Sequence, residues 1–351
     1  MLRMLPEWHP QDAIMLTWPH ADSDWSASLP VIESTLEAMA VAISRYQTVL
    51  IVVDSSVRKE SLTQRLIRLG AERQRLQMVI AASDDTWTRD HGPLAIVREG
   101  IPELLDYRFT GWGGKFPAER DNALNQTLAE ASIWQAPLHS KQDLVLEGDA
   151  LETDGQGTLL TTEACLLNPN RNPQYDRHAI EQRLAQDLGI ERVLWLRSGH
   201  LEGDDTDSHI DTLARFCDTG TIAHVHCDDP SDPHFEALAA MERELQQLRQ
   251  PDGSPYRLVA LPWPRPCFDP DDGHRLPATY ANFLIINGAV LVPIHADAAD
   301  ARALQAMATV FPERDIIPID CRSVIRQHGS LHCLTMQLPQ GTLFNSAAEV
   351  S

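Results

Sequence analysis

Short apolar runs rich in β-branched residues recur along this chain, separated by single stretches of helical character. The runs are TVLIVV at 48–53, LQMVIAA at 76–82, TLLTT at 158–162, VLWL at 193–196, YRLVALP at 256–262, NFLIINGAVLVP at 282–293 and LHCLTMQL at 331–338. Most have strand length and are too short for a stable helix. Asn287-Gly288 divides the longest of them as a tight turn divides a hairpin. Helical patterns fall at 31–46, 59–70, 177–188, 234–249 and 297–308, the last opening after Asp297 in an alanine-rich, helix-forming sequence. Strand pairs interrupted by single helices several times over mean a mixed α/β fold, and the hairpin at Asn287 excludes a simple βαβ series. No low-complexity linker divides the chain. The segment PWPRPCFDPDDGHRLP at 262–277 reads as a long irregular loop, where binding surfaces tend to lie, rather than a boundary.

Charge narrows the function. Lys and Arg number 29 against 50 Asp and Glu, a formal net charge of -21. A phosphate backbone or an anionic membrane would be repelled, so nucleic acid and membrane are excluded as partners, while a small cation would be attracted. The N-terminal MLRMLPEWHPQD shows no signal-peptide core, and no run reaches the roughly 18 apolar residues of a span, so a cytoplasmic protein is expected. Six cysteines without a CxxC suit buried thiols in such a compartment and leave one to argue about. Self-association into a homo-oligomer is left open.

Polar and aromatic residues gather in the loops: DDTWTRDHGP at 84–93, TGWGGKFP at 110–117, LEGDALETDGQG at 146–157, LNPNRNP at 167–173, GHLEGDDTDSHID at 199–211 and ATYANF at 278–283. In the first, Asp90 beside Trp87 could hold a guanidinium in a bidentate fork; Trp87 capping the core with an Arg89–Asp90 ion pair is the structural alternative. In GDDTDSHID, an extended backbone would put His209 and Asp211 on one face, an acid–base group beside a binding carboxylate. The acids and His209 also suggest a divalent ion, but their spacing fits neither the calcium loop nor a zinc pattern. HVHCDD at 224–229 is a rival metal site that lacks a defined partner motif, and it reads better as a strand end. Glu147, at a strand end, would orient an imidazole or simply lie at the surface.

Cys333 follows the turn His328-Gly329-Ser330 and precedes an apolar strand, which would present a nucleophile at a strand edge. By strand alternation His332 should face away from it.

These stretches together carry a resemblance. WTRDHGP, GWGGKFP, EGDALETDGQGTLLTTEACLLNPNRNP, GDDTDSHIDTLARF, PATYANFLIINGAVLVP and HGSLHCLTMQ resemble, in order, the agmatine deiminase family and the wider bacterial-type peptidyl-arginine deiminases of the guanidine-modifying superfamily. The resemblance runs from Trp18 to about Gln337. It implies a fivefold pseudosymmetric α/β propeller of ββαβ-type units, the pentein fold, with 1–351 a single catalytic domain. It also implies hydrolysis of a small cationic guanidine with no cofactor and no metal. By the same resemblance Cys333 is the nucleophile, His209 the general acid/base and Glu147 its carboxylate partner. Asp90 and Asp211 clamp the guanidinium, Asn282 supports the cysteine region, and Trp87 and Trp112 wall the pocket. Asp204 and Asp205, in the acidic run, are candidates for a distal ammonium. Agmatine is the favoured substrate. Peptidyl-arginine deimination, amidine transfer to an amine and a non-catalytic polyamine-binding module are the alternatives. Two departures stand out: EGD, with Asp149, where a second glycine is usual, and His328 where a small residue is usual.

Overall fold

The computed structural model describes residues 1–344. Among them one element recurs five times: an antiparallel strand pair, then a helix leading to a further strand in the same sheet. In the first sheet Gln11–Thr17 lies between Thr335–Pro339, antiparallel, and Thr48–Val53, parallel, with Leu76–Ile80 parallel beyond. The second runs Leu2–Met4, Leu94–Arg98, Ile101–Arg108, Leu138–Val145, its last pair parallel and the others antiparallel. The third sets Thr158–Thr162 between Glu152–Thr153, antiparallel, and Arg192–Leu196, parallel. The fourth repeats this with Ala214–Phe216, Thr221–Val225 and Arg257–Leu261. The fifth orders Leu284–Ile286, Ala289–Ile294 and Asp315–Asp320.

Parallel neighbours cannot be joined by a two-residue turn, so helices make the connections. They are Leu29–Ser44, Ser56–Arg68, Glu119–Glu130, Arg177–Leu188, Phe235–Gln247 and Asp300–Val310. Thr48–Val53 is buried at five of six positions, which is why it reads as a continuous apolar run rather than an alternation. Ser26–Ser44 has the length and mean hydropathy of a membrane span. Ile32, Leu36, Met39 and Ile43 on it are wholly buried, which makes it a core helix.

The chain divides into two compact units. One comprises Met1–Gly148, Ile286–Ala289 and the chain from Cys333 onward; the other comprises Asp149–Ile285 and Val290–His332. The first carries the first two sheets; the second carries the third, the fourth and most of the fifth.

Several expectations change in detail. The run at 331–338 is not one strand: residues 331–334 form a buried turn and the strand begins at Thr335. The last helix opens at Asp300 rather than just after Asp297, because the Asp300 carboxylate accepts the backbone N–H groups of His295 (3.1 Å) and Asp297 (3.0 Å) and holds that segment as a turn. The 262–277 stretch is irregular apart from a short ribbon, Cys267–Phe268 with Arg275–Leu276. Helix Glu119–Glu130 and the strands of the first hundred residues beyond 48–53 and 76–80 add to the elements read from the sequence.

Candidate functional site

In the first unit the WTRD segment forms a short buried helix, Thr88–His91, following Trp87. Asp90 accepts a hydrogen bond from Trp112 Nε1 at 3.0 Å, and both residues are buried. Trp112 reaches it from a strained backbone, with φ 56° and ψ 46°, between Gly111 and Gly113. Gly111 admits no other residue easily: its φ is 64°, and a Cβ there would stand 2.2 Å from the Phe116 carbonyl oxygen. Holding a bulky residue in the left-handed region costs about 1–3 kcal/mol, a cost typically carried at functional sites. Trp87 meets Trp112 edge-on at 6.4 Å, and Trp25, Phe109 and Phe116 extend the aromatic cluster.

Arg89 does not pair with Asp90. Its guanidinium bonds Gln337 and lies 3.4 Å from Glu7, while its backbone N–H donates to the Cys333 carbonyl at 3.1 Å. Its own carbonyl leaves no room for a Cβ at Gly148, which would approach to 2.2 Å. This one buried arginine therefore ties the Asp90 helix to the Cys333 turn and to the residue after Glu147. Glu147 and Cys333 are both buried.

In the second unit a loop, a short helix and two turns assemble a buried polar ring. Asp207 and Ser208 have φ of 68° and 66°. Asp204 stabilises that turn, accepting Thr206 N–H at 3.1 Å and Ser208 N–H at 2.7 Å. His209 then caps a 3-10 helix, Ile210–Thr212, so His209 and Asp211 do not share an extended strand. Asp211 is wholly buried. Its Oδ2 accepts from Asn282 Nδ2 at 2.6 Å and lies 2.9 Å from His332 Nδ1. Asn282 Oδ1 in turn accepts the His332 backbone N–H at 2.7 Å. His332 Nδ1 also lies 3.1 Å from Asp149 Oδ1. Burial works against ionised Asp211, but the His332 hydrogen bond and charge, the Asp149 hydrogen bond and the His209 charge outweigh it and hold Asp211 well below the usual carboxylate range. Asp149 moves the other way, pushed up to about 6 by burial and by the Asp211 charge.

His332 is thus an organising residue that strand alternation misplaced, since the turn at 331–334 has no alternating faces. Asp204 uses its carboxylate on the loop's own backbone, and Asp207 pairs with Arg171; Asp205 is half-buried on the same loop. His328 sits at φ 69°, with Nδ1 2.6 Å from the Gly203 carbonyl and its ring stacked on His274. The HVHCDD side chains diverge: His224 bonds the Val225 carbonyl, His226 bonds Glu242, and Cys227 bonds the Asp229 carbonyl. None of the six cysteines is in a disulfide; Cys267 is half-buried and the others buried, with burial pushing Cys217 and Cys321 up to about 12.

Residues 3–339 match the family model of Porphyromonas-type peptidyl-arginine deiminase. An agmatine deiminase of Pseudomonas fluorescens is 32% identical over 96% of this chain and 95% of its own length. A Porphyromonas gingivalis structure, solved as a candidate arginine deiminase, is 48% identical with a TM-score of 0.91, covering 98% of this chain and all of that one. A cysteine-to-serine variant of C. jejuni agmatine deiminase, solved with substrate bound, is 36% identical with a TM-score of 0.90, covering 97% of each chain. The chain belongs to the Porphyromonas-type peptidyl-arginine deiminase and agmatine deiminase family of guanidine-modifying enzymes and has its pentein fold, an α/β propeller of five ββαβ-type units.

Proposed function

We propose that this hydrolase is an agmatine deiminase, converting the guanidinium of agmatine to the ureido group of N-carbamoylputrescine with release of ammonia. The observation that carries this reading is the buried ring of Asp211, Asn282 and His332, whose last member is covalently joined to Cys333. Such a ring fixes a carboxylate for a cation and anchors the residue before a nucleophile.

Cys333 attacks the guanidinium carbon as the thiolate while Asp90 and Asp211 hold the flanking nitrogens and keep the group charged. The C–N bond breaks as His209 delivers a proton to the leaving nitrogen, and ammonia departs from a covalent thiouronium on Cys333. His209, oriented by Glu147, then takes a proton from water. The new C–O bond displaces the thiolate and leaves the ureido product, so one water is consumed and one ammonia released. Trp87 and Trp112 wall the site. Asp205, on the loop that Asp204 braces, receives the distal ammonium. Cysteines outside any disulfide suit a reducing compartment, and the proposed setting is the cytoplasm.

A second reading, deimination of free or peptide-bound arginine, is favoured by the 48% identity to the Porphyromonas gingivalis protein and by the family model's description. Comparing kcat/KM for agmatine, arginine and a blocked arginine peptide separates them. Agmatine should lead by about tenfold or more, roughly what one extra ion pair contributes. A comparable lead for the blocked peptide would reverse the assignment.

A further inference from the structure

Asp149 stands where a glycine is usual in the family this chain resembles, and it is 1% exposed. It and Asp211 approach the same ring nitrogen, His332 Nδ1, at 3.1 Å and 2.9 Å. One N–H cannot be given fully to two carboxylates. Two carboxylates held on one nitrogen and shielded from water repel each other unless a proton lies between them. Asp211 is the better supported of the two, because Asn282 donates to its Oδ2 as well. Asp149 Oδ2 accepts no hydrogen bond among the described residues, and His209 Nδ1 lies 3.9 Å from it. Any proton on this pair therefore resides mainly on Asp149.

We propose that Asp149 is a further positioning residue of the reaction: in the free enzyme it holds a proton shared with Asp211 over His332, and it releases that proton to solvent when the guanidinium docks. The pair thereby gains a negative charge as the cation arrives. The inference rests on the deiminase reading above. The charged groups facing Asp149 in its own unit are His332, Asp211 and His209; Glu147 lies two residues before it, and the proposed reaction adds Asp90 and Cys333. The position of Asp149 near neutrality, at about 6, lets this exchange occur at ordinary pH.

Calorimetry of agmatine binding to the inactive Cys333→Ser protein near pH 5.5, where Asp149 is mostly protonated in the free enzyme, in two buffers of different ionisation enthalpy, counts the protons exchanged. About half a proton or more should be released per agmatine, and adding Asp149→Asn should reduce this to near zero. With Cys333 intact, Asp149→Asn should raise KM at pH 8 about tenfold with kcat little changed, the difference closing toward pH 5.5. Asp149→Gly, which restores the residue usual in the family, should behave like Asp149→Asn. Undiminished proton release in the variant, or equal loss of kcat and kcat/KM at every pH, would overturn the proposal and make Asp149 a scaffold residue. If agmatine does not bind but arginine does, the substrate assignment falls, and the same proton count with arginine still decides the role of Asp149.

Discussion

Replacing Asn282 by alanine tests how far the buried ring governs the chemistry. Two bonds of its side chain bear on the ring: Nδ2 donates to Asp211 Oδ2 at 2.6 Å, and Oδ1 accepts the His332 backbone N–H at 2.7 Å. A hydrogen bond to a charged group contributes about 1.5–3 kcal/mol, and an ordinary one about 1. The His332 N–H keeps a fallback, since the Asn282 backbone carbonyl lies 3.3 Å away, so the second loss falls at the low end. The two sum to about 3 kcal/mol, which expressed in the transition state lowers kcat/KM roughly 100-fold. Asn282→Asp keeps the acceptor for His332 but sets a second carboxylate against Asp211, and it should be at least as damaging. The assay is ammonia release across a range of agmatine concentrations, with thermal melting run alongside to exclude unfolding. Asn282→Ala working within about threefold of the parent, with its fold intact, would refute the claim that this ring positions the Asp211 clamp and the Cys333 turn.

Trp112→Phe keeps the aromatic wall but removes the 3.0 Å donor to Asp90; KM for agmatine should rise about tenfold, consistent with losing a bond to a charged group, as steady-state kinetics will show. Gly111→Ala should lower stability by about 2 kcal/mol or more in urea unfolding, because the position has φ 64° and faces the Phe116 carbonyl oxygen. Asp121 gives a pH test. Burial pushes it up to about 8, with the Asp85 and Asp84 charges adding and the Asp84 and Asp85 N–H bonds opposing. Between pH 4 and 8 the folded state therefore holds a proton that the unfolded state has lost, and stability from this residue falls as pH rises, at up to about 1.4 kcal/mol per unit. Asp121→Asn should flatten that slope in urea midpoints taken at pH 5 and pH 8; an unchanged slope would contradict the assignment.

Much of the architecture is legible because its strands are buried on both faces. Thr48–Val53 and Thr158–Thr162 appear in the sequence with the bounds they have in the structure. Helix Glu119–Glu130 escaped notice because its buried face is half polar, comprising Asp121, Leu124, Asn125 and Leu128. Asn125 is buried to bond the His91 carbonyl and Asp106, and Asp121 to receive two backbone N–H groups, so no hydropathy period marks that face. The candidate catalytic residues came from motif resemblance, while their neighbours came only from the fold. Alternation placed His332 facing away, but a turn has no such rule. Arg89, adjacent to Asp90, bonds Gln337 some 248 residues along the chain instead, a partner no local pattern reveals.

In the reaction proposed above, Cys333 carries the substrate carbon as a thiouronium. With His209→Ala slowing both ammonia loss and water activation, mixing with excess agmatine, quenching in acid over a time course and weighing the intact protein reads the adduct itself. A mass increase equal to agmatine minus ammonia is expected, located by peptide mapping on Cys333 and absent when Cys333→Ser is also introduced. Ammonia released by Cys333→Ser alone at near the parental rate, or an adduct mapped to another cysteine, would contradict it.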